Sequence, residues 1–259
     1  MTTINTPDKS TPPVASSKTK AAKAKKKGRT TSKAKQILPP KTVHIYILLD
    51  RSGSMESMRH DVVGGLNEFL EQQKNAPGRA RVTLVQFDSQ DPQDVTIWGA
   101  PLPEITHLDS QTFVPRGGTP LLDATGLLIG RTMVDQSARL AAGLRAEDII
   151  FVTITDGEEN QSREFNLAQI RELVEKRTEE GWAFIYLSAG IDAYADAAQM
   201  GIHSGDTQQW KRDGKNARLA FSSTSDAISN MREKKRRMED TARGTAFETG
   251  KHAEEDDQV

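Results

Sequence analysis

Three short stretches of this sequence carry oxygen-bearing side chains that could do chemistry together. Asp50-Arg51-Ser52-Gly53-Ser54 places a carboxylate and two hydroxyls at i, i+2 and i+4. Thr119 follows Gly117-Gly118, and Asp156 opens Asp156-Gly157-Glu158-Glu159-Asn160. Carboxylate and hydroxyl oxygens are hard ligands that suit Mg²⁺ or Mn²⁺. On a tight loop, the i, i+2, i+4 spacing lets three short side chains converge on one point, and glycines permit the sharp backbone path. Asp50, Ser52, Ser54, Thr119 and Asp156 are therefore the expected metal ligands, provided that the fold brings the three stretches together.

Each of these residues also has a plainer reading. Asp50 could be an ordinary loop aspartate, and Asp156 a turn former before glycine. Thr119 is expected to N-cap a helix with or without a metal, with Pro120 at the first helical position and Asp123 in the first turn. Glu158 and Glu159 read as a solvated acidic rim. Arg116 reads as a surface arginine beside the metal loop, with steering of an acidic partner as the alternative. His44, His60, His107, His203 and His252 show no ligand spacing and read as ordinary core or surface histidines.

Enzymatic readings find little support. The chain has no G-x-x-x-x-G-K-[ST] phosphate loop, no G-x-G-x-x-G fingerprint and no G-x-S-x-G elbow. Metal-dependent phosphoryl transfer is the enzymatic alternative, since a Mg²⁺ beside acids is a usable site. An Asp50 nucleophile would then be expected to have an acid/base Asp two residues on, where this chain has Ser52. The expectation is a protein that is not an enzyme.

Positioning three distant loops requires a scaffold, and the apolar pattern supplies one. Val43 to Leu49 is a near-continuous apolar run, as expected of a parallel strand buried on both faces. Val62, Val63, Leu66, Phe69 and Leu70 mark a helix face that Pro77-Gly78 ends. Arg81–Phe87 reads as a second strand and Val95–Trp98 as a third, antiparallel and at the edge. A loop from Ala100 to Gly118 leads to the Thr119-Pro120 helix start. Ile149–Ile154 and Trp182–Leu187 read as the fourth and fifth strands, with a helix through Leu167, Ile170 and Val174 between them. A short helix around Tyr194–Gln199 and a weak sixth strand near Thr207–Trp210 follow. Ala217 to Met231 predicts a final helix whose charged end, Lys234–Arg237, projects beyond the body. Strands alternating with helices imply an α/β, doubly wound, mostly parallel sheet with helices on both faces. Ligands in such sheets sit beyond the carboxyl ends of the strands, which is where the Asp50 and Asp156 loops fall.

The charge is divided unevenly along the 259 residues. Residues 1–41 hold ten Lys and Arg29 against Asp8, a net charge of +10, whereas the other 24 basic and 35 acidic residues leave −11. The basic stretch is built of Thr, Ser, Ala, Lys and Pro and cannot bury enough apolar surface to offset its ordering entropy, so a disordered arm is expected. Its centre, residues 18–35, could bind nucleic acid without sequence preference, or serve only as a solubilising tail. The expected organisation is arm 1–41, folded domain 42–238 and flexible acidic tail 239–259. The absence of cysteine excludes disulfides, thiolate metal sites and a cysteine nucleophile. No apolar run approaches the roughly 20 residues of a membrane span, so no membrane partner is expected. No apolar stretch near the N-terminus reads as a signal peptide, which gives a cytoplasmic expectation.

The segment from Val43 to Met231 resembles a von Willebrand factor type A (vWA) domain. Asp50, Ser52, Ser54, Thr119 and Asp156 match that family's metal-ion-dependent adhesion site without a departure. Asp50–Met55 (DRSGSM), Thr83–Asp88 (TLVQFD), Val114–Leu122 (VPRGGTPLL) and Thr155–Asn160 (TDGEEN) are similar to stretches of stand-alone intracellular vWA proteins of bacteria and their phages. The resemblance implies a six-stranded sheet in the order 3-2-1-4-5-6 with strand three antiparallel. It also implies Mg²⁺ held partly through water, with one coordination position left for an Asp or Glu of a protein partner. A helper role beside an AAA+ ATPase is a family-level implication, and catalysis is not implied.

Overall fold

The computed structural model describes residues 41–157, 159–211 and 214–255, without the side chains of 214–215 and 239–255. The expected basic arm and Glu158 lie outside the described residues. Strands β1 (Val43–Asp50), β2 (Ala80–Phe87), β3 (Asp94–Pro101), β4 (Asp148–Thr155), β5 (Ala183–Ser188) and β6 (Thr207–Gln209) form one sheet in the order β3-β2-β1-β4-β5-β6. All neighbours are parallel except β2 and β3. The helices are α1 (Arg59–Asn75), α2 (Leu121–Ala141), α3 (Leu167–Glu179), α4 (Ala193–Gln199) and α5 (Gly214–Glu255).

Period-two alternation along β1 sorts its side chains into two cores. Val43, Ile45, Ile47 and Leu49 pack with Val62, Leu66, Phe69 and Leu70 of α1 and with Ala217, Ala220, Phe221 and Ile228 of α5. Tyr46 and Leu48 face the other way, onto Leu121, Leu128 and Ile129 of α2 and Ile170 and Val174 of α3. Each fully buried Leu, Ile or Val contributes roughly 1.5–3 kcal/mol over an exposed one, so the two cores dominate the stability of the sheet. Both faces are covered, which is why β1 reads as a continuous apolar run rather than an alternating one.

Helix α5 differs from its expected form. It runs to Glu255, past position 238, and its basic stretch does not simply project. Lys235 is half-buried, with its Nζ 3.4 Å from Asp148. Arg232, which is buried, donates to the carbonyls of Gln73, Ala76 and Gly78 and so satisfies the C-terminal end of α1. The buried Gln73 amide donates to Ser225 O at 2.8 Å and to the Ser225 and Ser229 hydroxyls at 2.9 Å. Gly65 lets the Phe221 ring close onto α1: a Cβ there would stand 2.3 Å from the ring. None of the described helices is long and apolar enough to cross a membrane.

Candidate metal centre

The three oxygen-bearing stretches meet at the carboxyl end of the sheet. β1 ends at Asp50 and β4 at Thr155, on adjacent parallel strands in register. Ser52 Oγ lies 3.0 Å from Ser54 Oγ, and Ser54 Oγ donates to Asp156 Oδ1 at 2.8 Å. Asp50 Oδ1 accepts from Ser52 N at 2.7 Å, and its Oδ2 accepts from Thr155 Oγ1 at 2.6 Å. Thr119 enters from the third loop. A Cβ built on Gly157 would stand 3.6 Å from Thr119 Oγ1 and 3.7 Å from Ser54 Oγ, which places both hydroxyls around Gly157. The fold thus brings together all five residues expected from the sequence. Asp50, Ser52, Thr119 and Asp156 are buried, and Ser54 is exposed at the mouth.

The backbone holds these loops tightly. Gly53 N donates to Gly117 O at 3.1 Å, and Arg116 N to Arg51 O at 2.8 Å. Gly117 has φ +67°, and a Cβ on it would lie 2.5 Å from Ser89 Oγ, so the loop requires glycine there on both counts. Thr119 N donates to Asn160 Oδ1 at 3.0 Å, and Asn160 N returns a bond to Thr119 O at 3.1 Å.

Thr119 does not cap α2, contrary to the expectation. The residue before the helix is Pro120, and no side chain of the capping residue bonds to the first turn. The cap comes from the Asp156 loop instead. Glu159 Oε2 accepts from Leu122 N at 2.9 Å, and Ser162 Oγ accepts from Asp123 N at 3.0 Å. Glu159 also accepts from Gln161 N, Ser162 N and Ser162 Oγ, so it is a structural acceptor rather than a solvated rim. Asp123 in turn accepts from the backbone N–H groups of Arg163, Glu164 and Phe165. With the helix start served from outside, the Thr119 hydroxyl is left among the oxygens around Gly157.

Electrostatics favour a cation at this point. Burial pushes the Asp50 carboxyl up to about 6, with the nearby Asp156 charge adding to it and bonds from Thr155 and Ser52 opposing it. Among the described residues no cationic side chain pairs with Asp50. Its neighbour Arg51 turns away to Asp88, Nη2 to Oδ2 2.7 Å, and to Asp94. Arg116 joins from the third loop, Nε to Asp88 Oδ2 2.9 Å, with its side chain 43% exposed. Two buried carboxylates set among three hydroxyls, with the adjacent guanidinium committed elsewhere, fit a small hard divalent cation.

Sequence reasoning missed Arg51, Asp88 and Thr155. Arg51 and Thr155 adjoin the expected ligands, and Asp88 closes the TLVQFD stretch. Their partners lie 37 and 105 positions away, so no local spacing marks the pairings.

A second group of ligand-type atoms lies in His44, Asp135 and Glu147, all within 4.8 Å of one another. His44 is fully buried between Glu147 Oε2 and Thr83 Oγ1, each 2.9 Å from a ring nitrogen. Glu147 also receives the guanidinium groups of Arg81 and Arg139 at 3.0 Å. The positive charge that a metal would bring is already present there. Burial lowers the His44 pKa against the opposing pull of Glu147.

No protein-family model and no curated protein matches the chain. Among solved structures, the pilus adhesin SpaC of Lactobacillus rhamnosus GG superposes with a TM-score of 0.54 at 13% identity, over 73% of this chain and 30% of that one. Proximal thread matrix protein 1 from the mussel byssus superposes with a TM-score of 0.51 at 10% identity, over 73% of this chain and 46% of that one. These two likenesses show a shared fold. A von Willebrand factor type A protein from Catenulispora acidiphila is also among the structural neighbours, with a TM-score of 0.49 at 13% identity, over 71% of this chain and 42% of that one. The chain spans less than half the length of each of these solved chains.

Proposed function

We propose that this protein is a binding module, not an enzyme, in which Asp50, Ser52, Ser54, Thr119 and Asp156 hold Mg²⁺ or Mn²⁺ for capture of a protein partner's Asp or Glu. The observation that carries this reading is the contact chain from Ser52 Oγ through Ser54 Oγ to Asp156 Oδ1, with Thr119 Oγ1 beside it. When bound, the cation would supply Lewis acidity toward an incoming carboxylate. The chain's own residues do the rest. Asp50 and Asp156 provide the negative charge, and Ser52, Ser54 and Thr119 provide neutral oxygens. The Arg51–Asp88–Arg116 cluster fixes the first and third loops against each other. The exposure of Ser54 leaves the site open to a macromolecule. The vWA resemblance of the five residues supports the same reading.

The test is capture from native lysate by the full chain. Partners should be lost in EDTA, return with Mg²⁺, and be absent with Ser52→Ala plus Ser54→Ala in a protein of unchanged secondary structure. Partners that survive both treatments would place the interaction on another face.

A second reading rests on the +10 charge of residues 1–41. Under it the arm binds nucleic acid and the folded domain recruits a partner, the two activities residing in one chain. A cytoplasmic location and work beside an AAA+ ATPase belong to the proposal at the level of family resemblance.

A further inference from the structure

The outer face of α2 borders an apolar groove that is open to solvent. It encloses about 680 Å³ between Leu127, Val134 and Ala138 of the helix, Trp98 of the edge strand β3 and Phe165 ahead of α3. Val134 is 70% exposed. A lone exposed valine needs no explanation, but contiguous apolar area rimmed by polar groups marks an interaction surface. The polar groups here are two opposite charges, Arg131 and Asp135, one turn apart on α2 and both lining the groove.

Neither charge is neutralised by an ion pair among the described residues. Arg131 lays its guanidinium over the Trp98 ring, 4.6 Å from the centroid, and its Nη1 reaches Gln93 Oε1 at 3.3 Å. Stacking uses the face of the guanidinium and leaves the other in-plane N–H groups free to donate. Asp135 is half-buried and accepts two long bonds, from the Tyr46 hydroxyl and Gln136 Nε2 at 3.4 Å each, both on Oδ2. Its Oδ1 accepts none among the described residues. A base placed N-terminal to an acid at this spacing is the weaker order for a pair within one helix.

We propose that the occupant of this groove is the α2 helix of a second copy of the chain, packed antiparallel about a two-fold axis near residues 132–133. A two-fold interface must be self-complementary, with residue i meeting j and j meeting i. This face meets that condition in both size and charge. About that axis Val134 of each copy faces Gly130 of the other, where a Cβ would meet nothing within 4 Å, so there is room for the valine. Leu127 faces Ala138, again large against small. Arg131 of each copy faces Asp135 of the other, so two charge-assisted contacts form together, one on either side of the axis. The oxygen cluster lies before the start of α2, and the dimer does not depend on the metal reading.

The test is sedimentation equilibrium of the full chain in EDTA, over a concentration series that ends at the solubility limit. The wild type should pass from monomer to dimer. Arg131→Asp and Asp135→Arg each set two like-charged pairs across the axis and should weaken the dimer at least about tenfold. Mixed in equal amounts, the two variants should associate again, because in the mixed dimer both charge pairs are restored. Gly130→Leu fills the space facing Val134 without touching the core. It should abolish the dimer in a protein of unchanged circular dichroism, and it decides the matter even where Asp135→Arg fails to fold. A wild type that stays monomeric throughout overturns the proposal. A dimer that survives Gly130→Leu, or is unmoved by Arg131→Asp, lies on another face and overturns it equally. Folded charge variants that do not recover on mixing overturn the antiparallel register and the proposal with it.

Discussion

Thr155 Oγ1 donates to Asp50 Oδ2 at 2.6 Å across the ends of two adjacent strands. The bond is made between the last residue of β1 and the last residue of β4, and it fixes the direction in which the buried Asp50 carboxylate presents its other oxygen. Thr155→Val keeps the shape of the side chain and removes the donor. It should cost about 1–3 kcal/mol, since a charged acceptor is left short of a bond in a buried place. Urea denaturation without metal measures that loss.

Mg²⁺ at millimolar concentration should raise the melting temperature of the wild type. A ligand that binds only the folded state stabilises it by mass action, about 2.7 kcal/mol at one hundred times its dissociation constant. Asp50→Ala and Asp156→Ala should abolish the rise. A melting curve indifferent to Mg²⁺ and Mn²⁺ in the wild type would remove the basis for an occupied site.

Gly157→Ala separates folding from binding. The added methyl would meet Thr119 Oγ1 and Ser54 Oγ at ordinary contact distances of 3.6 and 3.7 Å, so the fold should tolerate it within about 0.5 kcal/mol. The same methyl stands between two of the proposed ligands. Calorimetric titration should therefore find Mg²⁺ affinity reduced at least about tenfold, a loss of about 1.4 kcal/mol. Undiminished affinity would place the ion elsewhere.

Asp88→Asn tests the clamp between the loops. Asp88 is fully buried and carries both Arg51 and Arg116. Removing its charge leaves the Arg51 guanidinium buried with Asp94 alone, which should cost about 3 kcal/mol, the low end for breaking a buried pair. The Mg²⁺-dependent rise in melting temperature should shrink with it, because the loop bearing Thr119 loses its anchor.

Acid stability should depend on Glu147. Burial alone would push its carboxyl up; bonds with His44, Gln136 and Arg81 outweigh that and hold it at about 2. The folded value lies below the ordinary 4.5, so the unfolded chain binds more protons between the two. The stabilisation is complete above about pH 4.5 and is lost as pH falls through about 2. Denaturation midpoints should decline across that window, and Glu147→Gln should flatten the decline while lowering stability near neutrality.

The full chain should bind duplex DNA without sequence preference, and a truncation beginning at Lys41 should not. With 6–10 phosphate contacts, affinity should fall about 10³–10⁵-fold between 50 and 200 mM salt. Equal binding by the two, measured by fluorescence anisotropy, would reduce the arm to a solubilising tail.

Short-range physics was legible in the residues themselves. The apolar run from Val43 to Leu49 specifies a strand covered on both faces, and the helix periodicity beyond it specifies what covers them. The strand–helix alternation, with the resemblance, carries the sheet order. The Asp50, Ser52, Ser54 spacing also speaks from sequence, because convergence over five residues is a property of one loop. What only the tertiary structure decided depends on groups that meet through strand pairing and loop packing. Asp156 reaches Ser54 across 102 positions, and Thr155 reaches Asp50 across 105. Glu159 looks like a solvated acid until the end of β4 sets it against the first turn of α2. There the unmet N–H of Leu122 claims it, and the Thr119 hydroxyl is released from capping. Arg51 sits inside the motif yet belongs electrostatically to Asp88, since β1 and β2 run side by side and bring their ends together. A hydrogen bond is decided within about 3 Å, and along the chain no spacing records which distant residues will come that close.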